Sequence, residues 1–444
     1  MNPEVMELLR KSKTMSISTC GNSPWTIKVF YAMDRGFIFL LEKGGITLEA
    51  VNHGSRVSFA IDLNRPDLFV QGYGRAEVVG EPGKLDEERG TLLAKVPEDT
   101  LFAGSGHTVI VRLVPELLRV TDMRGEPKKY TESFNPDEMT EKKPLTLVRA
   151  MRPWAFQMSV TSLILGVMLA DRVNVMFLIL SIAAIIMAHG AFNELGDYFD
   201  YVSALDRPEG FGSGGSRVLL DKFMAPRALF GYSIALLVSA LTIGSYLIFS
   251  RPAILVFVLI GVLAGVLYGL PKFGLKWISL GDLGVFLAFG PGIVLGSEVL
   301  EGGQVTASSA LISVAIGMII VAVLHANNWR DMGSDAAAGA RTVATVLGER
   351  GSLIYYLALI WLSYPIFAAA VALDIRLWPI LGSLLTVPWA IKLTRIALNP
   401  RDLNRKLLDM RTGSFTALHM YLSLIFLGSA FLIQHFLALL AELA

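Results

Sequence analysis

The chain has 444 residues, is 53% hydrophobic and carries a formal net charge of +1 with a single cysteine, Cys20. Near-neutral charge offers no basic field for nucleic acid, which is not expected as a partner. One cysteine excludes an internal disulfide framework and a multi-cysteine metal site. The N-terminal stretch MNPEVMELLRKSK has no apolar core, so no cleavable signal peptide is expected.

The first part of the chain, residues 1–125, reads as a soluble α+β domain. A short helix over Glu4–Lys11 leads into strand-like runs at Thr14–Thr19, Thr26–Met33, Gly36–Leu41, Arg56–Leu63, Leu68–Val79 and Thr108–Val120. β-Branched and aromatic residues fill these runs, and Gly, Pro, Asn and Asp punctuate them. Helical segments interrupt them near Thr47–Asn52 and Lys84–Lys95. Short strands with few helices predict a small barrel. The polar run RGEPKKYTESFNPDEMTEKK, Arg124 to Lys143, has the composition of a linker, placed at residues 126–145.

Residues 146–444 are different. Runs of about 18 or more apolar residues, the length that crosses a bilayer core, recur from Pro153 onward. Hydropathy predicts an all-α bundle of nine transmembrane helices near 154–171, 174–193, 228–249, 252–270, 280–298, 307–326, 352–372, 376–393 and 414–440. Lys and Arg crowd the loops after the second, fourth, sixth and eighth spans, whereas the opposite loops carry only Arg172, Arg251 and Arg376. By the positive-inside rule, those basic loops and the N-terminal domain face the cytoplasm, and the expected location is the cell membrane.

Two acidic clusters end spans on that side: NELGDYFDYVSALD, Asn193 to Asp206, and HANNWRDMGSDAAAGART, His325 to Thr342. At about 100° per residue, Asn193, Asp197 and Asp200 share one helix face. Asn327 or Asn328 with Asp331 and Asp335 forms a second stripe. Asp206 would point away from its helix, so it is placed on a turn. Clustered carboxylates repel one another unless a cation lies between them, and Mg2+ accepts oxygen ligands together with substrate phosphate. Asp197, Asp200, Asp206, Asp331 and Asp335 are therefore the candidate metal ligands. Arg217, Lys222 and Arg341 are candidate cationic clamps for a diphosphate. A cation-coupled transporter is the rival class, although transporter sites usually lie near the bilayer midplane and these acids sit at span ends. His325 has the position of a possible general base, but a packed helix histidine is the simpler assignment for it, as for His419.

The segment LHANNWRDMGSDAAAGARTVATVLG, Leu324 to Gly348, resembles the UbiA-type aromatic prenyltransferases, and within them the 1,4-dihydroxy-2-naphthoate polyprenyltransferases of menaquinone synthesis. GDYFDYVSALD, GSGGSRVLL and YGLPKFGLKWISLGDLGVFLAFGP are similar to further parts of that family, and the resemblance spans residues 145–440. It implies transfer of a polyprenyl group from its diphosphate to an aromatic acceptor, with Mg2+ assisting loss of the diphosphate. It assigns Asn193, Asp197, Asp200 and Asp206 to the first motif and Asn327, Asn328, Asp331 and Asp335 to the second. Asn193, Asn327 and Asn328 would orient the diphosphate shell. Two positions depart from the pattern: Gly196 replaces an Asn, and Ala340 replaces a Lys. Other acceptors remain open, among them 4-hydroxybenzoate, homogentisate, haem and a glycerol-phosphate lipid.

Residues 1–125 are similar to the pyridoxamine-phosphate-oxidase-like split barrels, through SKTMSISTCGNSPWTIKVFYAMDRGFIFLLEKGG, AVNHGSRVSFAID and VQGYGRAEVVGEP. That resemblance implies FMN binding, with Lys43 and Thr47 as the candidate phosphate contacts, and a homodimer through the barrel. A different cofactor, or a barrel that only scaffolds, stays open.

Overall fold

The computed structural model describes all residues except 21–23, 55, 64–66, 100–101, 104–105, 125, 140–145, 171, 204–214, 221–222, 400–401 and 444. The described residues form two compact units. One is built on residues 1–149 and includes 217–225, and the other is built on the remaining helical chain from Ala150.

The first unit is a β half-barrel. Its strands are β1 (Thr14–Cys20), β2 (Pro24–Phe30), β3 (Ala32–Met33), β4 (Phe37–Glu42), β5 (Arg56–Asp62), β6 (Leu68–Gly80), β7 (Thr108–Asp122) and β8 (Lys128–Glu132). They run in the order β2-β1-β5-β6-β7-β4-β3, with β8 on β7, and every described pairing is antiparallel. Alternation sets the register: in β5, Val57, Phe59 and Ile61 are buried and the residues between them exposed. The helix Pro3–Lys11 starts with the Asn2 side chain accepting the Glu4 amide at 2.9 Å, and it buries Val5, Met6, Leu8 and Leu9 in the same core. Near a register shift between β6 and β7, a Cβ on Gly74 would lie 2.1 Å from the Val114 carbonyl oxygen, so only glycine fits there.

The sheet differs from the expected six runs in two places. The run Thr26–Met33 divides into β2, which pairs with β1, and β3, which pairs with β4. The stretch expected as a linker contributes β8, with Tyr130 packed on the core, and Met139 is wholly buried in that core. The first unit therefore extends past residue 125. The mixed Lys-Lys-Tyr-Thr-Glu sequence suits an edge strand with one inward aromatic.

The second unit is helical. Seven helices among the described residues are long and apolar enough to cross a membrane, rather than the nine expected: Val175–Val202, Pro226–Ser250, Gly281–Leu300, Ala307–Arg330, Val343–Leu373, Ile375–Ala397 and Leu407–Ile433. The first and fourth expected spans are the shorter apolar helices Pro153–Val167 and Pro252–Tyr268. Pro153 and Pro252 begin each of these with a tight 3-10 turn, and the helical run ends before a bilayer core's length is reached.

Small residues bring the helices together. A Cβ on Gly166 would fall 2.1 Å from the Val294 carbonyl oxygen, so the Pro153–Val167 helix can lie directly on the Gly281–Leu300 span. That span widens into a π-helix at Ala288–Leu295 around Pro291, which cannot donate a backbone hydrogen bond. Buried hydroxyls join helices elsewhere: Tyr356 meets Thr412 at 2.7 Å, and Tyr364 meets Thr386 at 2.7 Å. His419 is a packed, hydrogen-bonded histidine, with Nδ1 2.9 Å from the Thr386 hydroxyl.

Candidate active site

The first acidic motif lies on the last turns of the Val175–Val202 helix, which continues well past the apolar run. Asn193, Asp197 and Asp200 fall on neighbouring turns, but their partners differ. The Asn193 amide donates to the Met151 carbonyl at 3.0 Å. Asp197 is buried; its carboxylate pairs with the Arg152 guanidinium and accepts the Ser216 amide at 3.1 Å together with the Ser216 hydroxyl. Gly215 leaves room for this pair, because a Cβ there would lie 3.2 Å from Asp197 Oδ1 and 3.3 Å from Arg152 Nη2. Asp200 accepts a hydrogen bond from Lys276 Nζ at 3.0 Å, with both side chains mostly buried.

Lys276 belongs to a 3-10 turn, Leu275–Trp277, in the loop before the Gly281–Leu300 span. Left-handed residues flank that turn, Lys272 at φ 65° and Ser279 at φ 63°. These are uncommon conformations for residues with a Cβ, and the loop holds them in place. Its far end is tied to the second motif: Ile278 bridges Arg341, and the Ser279 hydroxyl donates to the Arg341 carbonyl at 2.8 Å. One loop thus touches both acidic motifs. Burial opposes the charge on Lys276, but Asp200 outweighs it and holds the ammonium above its ordinary pKa.

The second motif ends the Ala307–Arg330 helix and continues through the short helix Met332–Ala337. Arg330 Nε donates to Asp331 Oδ1 at 2.8 Å, and the same guanidinium pairs with Asp409. Asp335 is buried, and its carboxyl is pushed up to about 6. Burial is the main cause; Asp331 and Asp200 add to it, while Lys276 and Arg330 oppose it. Asp200, from the other motif, is near enough to add to that shift. Asn328 is buried, and the Asn327 amide donates back to Val323 O at 3.0 Å. Arg341 is exposed.

The structure therefore gathers Asp200, Asp331 and Asp335 with the cations Lys276 and Arg330. Asp197 stands beside them, braced by Arg152, while Asn193 and Asn327 are turned to backbone carbonyls. Asp206 and Lys222 lie outside the described residues. Arg217 groups with the first unit and adopts φ 58°. Among the described residues, no three His, Cys, Asp or Glu side chains close on one point as a preformed metal cage. Arg152, Ser216, Lys276 and Arg330 are site residues that sequence reasoning did not select. The only available signals were the basic residue next to Asp331 and the Lys within the family-like stretch; Arg152 and Lys276 reach their partners across 45 and 76 residues.

The candidate flavin contacts do not form a phosphate cradle. Lys43 Nζ is 2.7 Å from Glu81 Oε1 and 3.0 Å from the Gly106 carbonyl. Thr47 is buried on the core side of the helix Ile46–Asn52. In this structure the Lys43 ammonium is paired with Glu81 and Thr47 is buried, so neither presents a ready phosphate contact.

Apolar spans with two acidic ends sharing a basic loop define a multi-pass membrane protein with a polar site at its helix termini. The UbiA prenyltransferase family model matches residues 159–425, and the chain belongs to that family. It is a membrane prenyltransferase. The chain is 31% identical over 261 residues to UbiA prenyltransferase domain-containing protein 1 of Gallus gallus, covering 56% of this chain and 75% of the relative. It is 28% identical over 270 residues to the Homo sapiens protein of that name, covering 59% and 77%. A solved UbiA homolog from Archaeoglobus fulgidus, bound to GPP and Mg2+, is similar at 16% identity with a TM-score of 0.47, over 62% of this chain and 99% of that one.

Proposed function

We propose that this enzyme transfers a polyprenyl group from its diphosphate to a 1,4-dihydroxy-2-naphthoate-like aromatic acceptor, a step of menaquinone synthesis. The observation that supports the site assignment is the loop that ties the two acidic motifs together, with Lys276 paired to Asp200 at 3.0 Å and Ser279 hydrogen-bonded to the Arg341 carbonyl at 2.8 Å. Clustered hard oxygen donors are the environment that fits Mg2+. Asp200, Asp331 and Asp335 would hold it, with Asp197 and Asp206 completing the set implied by the family resemblance. Bound there, Mg2+ supplies Lewis-acid neutralisation of the charge that builds on the departing diphosphate.

The protein's own groups do the rest. Lys276 and Arg330 supply fixed positive charge beside the acids, and Arg341 adds a third cation on the same loop junction. Arg152 pairs with Asp197 and orients its carboxylate. Apolar helix faces accommodate the prenyl chain within the bilayer. The excess of Lys and Arg in the loops that carry these motifs supports a cytoplasmic site in the cell membrane. The N-terminal half-barrel is proposed as a split-barrel relative that dimerises, without FMN held by Lys43 and Thr47.

The test is pyrophosphate release by detergent-purified protein given geranylgeranyl diphosphate, Mg2+ and a panel of aromatic acceptors. Release that requires both Mg2+ and 1,4-dihydroxy-2-naphthoate is expected. Release with another acceptor alone would reassign the substrate, and no acceptor-dependent release would refute the aromatic-transfer reading.

A further inference from the structure

Asp282 is a buried carboxylate that the diphosphate site does not use. It lies on the first turn of the Gly281–Leu300 span, 3% exposed, and no described group makes a well-formed hydrogen bond to either oxygen. His325 Nδ1 is 3.5 Å away, and the Tyr355 hydroxyl lies alongside. His325 is itself wholly buried, with neither ring nitrogen hydrogen-bonded, and its ring meets that of Tyr355 edge-on at 4.7 Å. Asp282 and His325 thus face each other at 3.5 Å with few other polar partners, and incompletely hydrogen-bonded groups buried in a membrane bundle are costly unless a ligand adds a bond.

Asp282 and Tyr355 line a cavity of about 300 Å³. The rest of its wall is largely apolar, including Phe286, Met318, Val321 and Leu359. That volume, with a few converging polar groups in an apolar wall, suits one or two fused aromatic rings. Ser279 also lines it, on the loop whose Lys276 pairs with Asp200. The cavity thus adjoins the loop that touches both acidic motifs.

We propose that this cavity seats the aromatic acceptor and that Asp282 binds the acceptor's ring hydroxyl and takes its proton during transfer. The proposal rests on the prenyl-transfer reading above. An electron pair of the ring forms the bond to C1 of the prenyl group. The C1–O bond breaks, and its electron pair leaves with the diphosphate. The hydroxyl proton passes to Asp282, and the hydroxyl becomes a ring carbonyl. The attacked carbon then loses its proton to water, or its carboxylate as carbon dioxide, leaving the electron pair in the ring, and Asp282 returns a proton to the oxygen as the aromatic ring is restored. His325 is a positioning residue that fixes the Asp282 carboxylate from behind, and Tyr355 offers a second contact to an oxygen of the ring.

The experiment is steady-state kinetics of full-length Asp282→Asn with geranylgeranyl diphosphate, Mg2+ and 1,4-dihydroxy-2-naphthoate. Donor binding and slow acceptor-independent pyrophosphate release are measured alongside. The expected result is a fall in transfer kcat of about 10²-fold or more, the usual contribution of a positioned base, with donor binding retained. Asp282→Glu should recover part of the loss. Leu359→Trp, which narrows the cavity, should raise the acceptor KM at least about tenfold, the loss expected when roughly 1.4 kcal/mol of binding is removed. Wild-type acceptor kinetics in Asp282→Asn would overturn the proposal. So would a Leu359→Trp variant whose donor KM rises while its acceptor KM does not, since the cavity would then hold the prenyl chain. Wild-type protein inert with every aromatic acceptor would instead refute the prenyl-transfer reading itself.

Discussion

Replacing Lys276 with Met removes a cation that joins the loop before the Gly281–Leu300 span to the first acidic motif. Its ammonium lies 3.0 Å from Asp200 Oδ2, and both side chains are mostly buried. At an effective dielectric of about 20, such a pair attracts by roughly 5 kcal/mol, and desolvation takes back much of that. Losing Lys276 while Asp200 remains should lower the stability of the helical unit by about 3 kcal/mol. The catalytic loss should be larger, because a fixed cation facing a polyanionic leaving group acts most strongly in the transition state. A loss of about 3–4 kcal/mol corresponds to roughly 150–700-fold in kcat/KM for the prenyl diphosphate. The assay is pyrophosphate release across donor concentration, paired with a thermal melt in detergent. Lys276→Arg should retain more activity than Lys276→Met. A Lys276→Met enzyme within about threefold of wild type would show that the Asp200 pair is structural only, and the argument from this loop would fail.

Asp197→Ala and Asp331→Ala should each abolish detectable turnover; size-exclusion profiles like wild type would separate this from misfolding. In the first unit, Gly74→Ala should destabilise by about 2–4 kcal/mol, because the new Cβ would meet the Val114 carbonyl at 2.1 Å. Faster amide hydrogen exchange in β6 and β7 would report it. Burial pushes the Asp99 carboxyl up to about 7 from an ordinary 3.8, with Glu98 adding to the effect. The folded state therefore holds this proton more tightly than the unfolded one. Its stability should fall as pH rises from about 4 to 7, by up to about 4 kcal/mol, and level off above. Asp99→Asn should flatten that dependence, and a hydrogen-exchange pH series that is the same in both proteins would refute it.

Period and composition made most of the fold legible. Alternation in β5 and the long apolar runs declare themselves within a few residues, because one buried face or one bilayer sets the pattern. The division of Thr26–Met33 into β2 and β3 was not legible, since no local residue states which neighbour a strand will pair with. β8 was hidden because an edge strand needs only one inward aromatic, Tyr130. The Asn–Asp spacing singled out the candidate acids, since helix geometry fixes which side chains share a face. Their cationic partners were not legible, because Arg152 reaches Asp197 and Lys276 reaches Asp200 only through tertiary folding. Asp282 illustrates the same limit: it stood in sequence beside an apolar run, and only the packing of three helices turns it toward His325 and a cavity.

The two short apolar helices have a consequence for the surrounding lipid. Pro153–Val167 and Pro252–Tyr268 are roughly 22 and 25 Å long at 1.5 Å per residue, against a hydrocarbon core of about 30 Å. Acyl chains beside them must compress or tilt, at a fraction of a kcal/mol for each ångström of mismatch. Where these helices face lipid, bilayers built from short or disordered acyl chains should host the bundle with the least elastic strain.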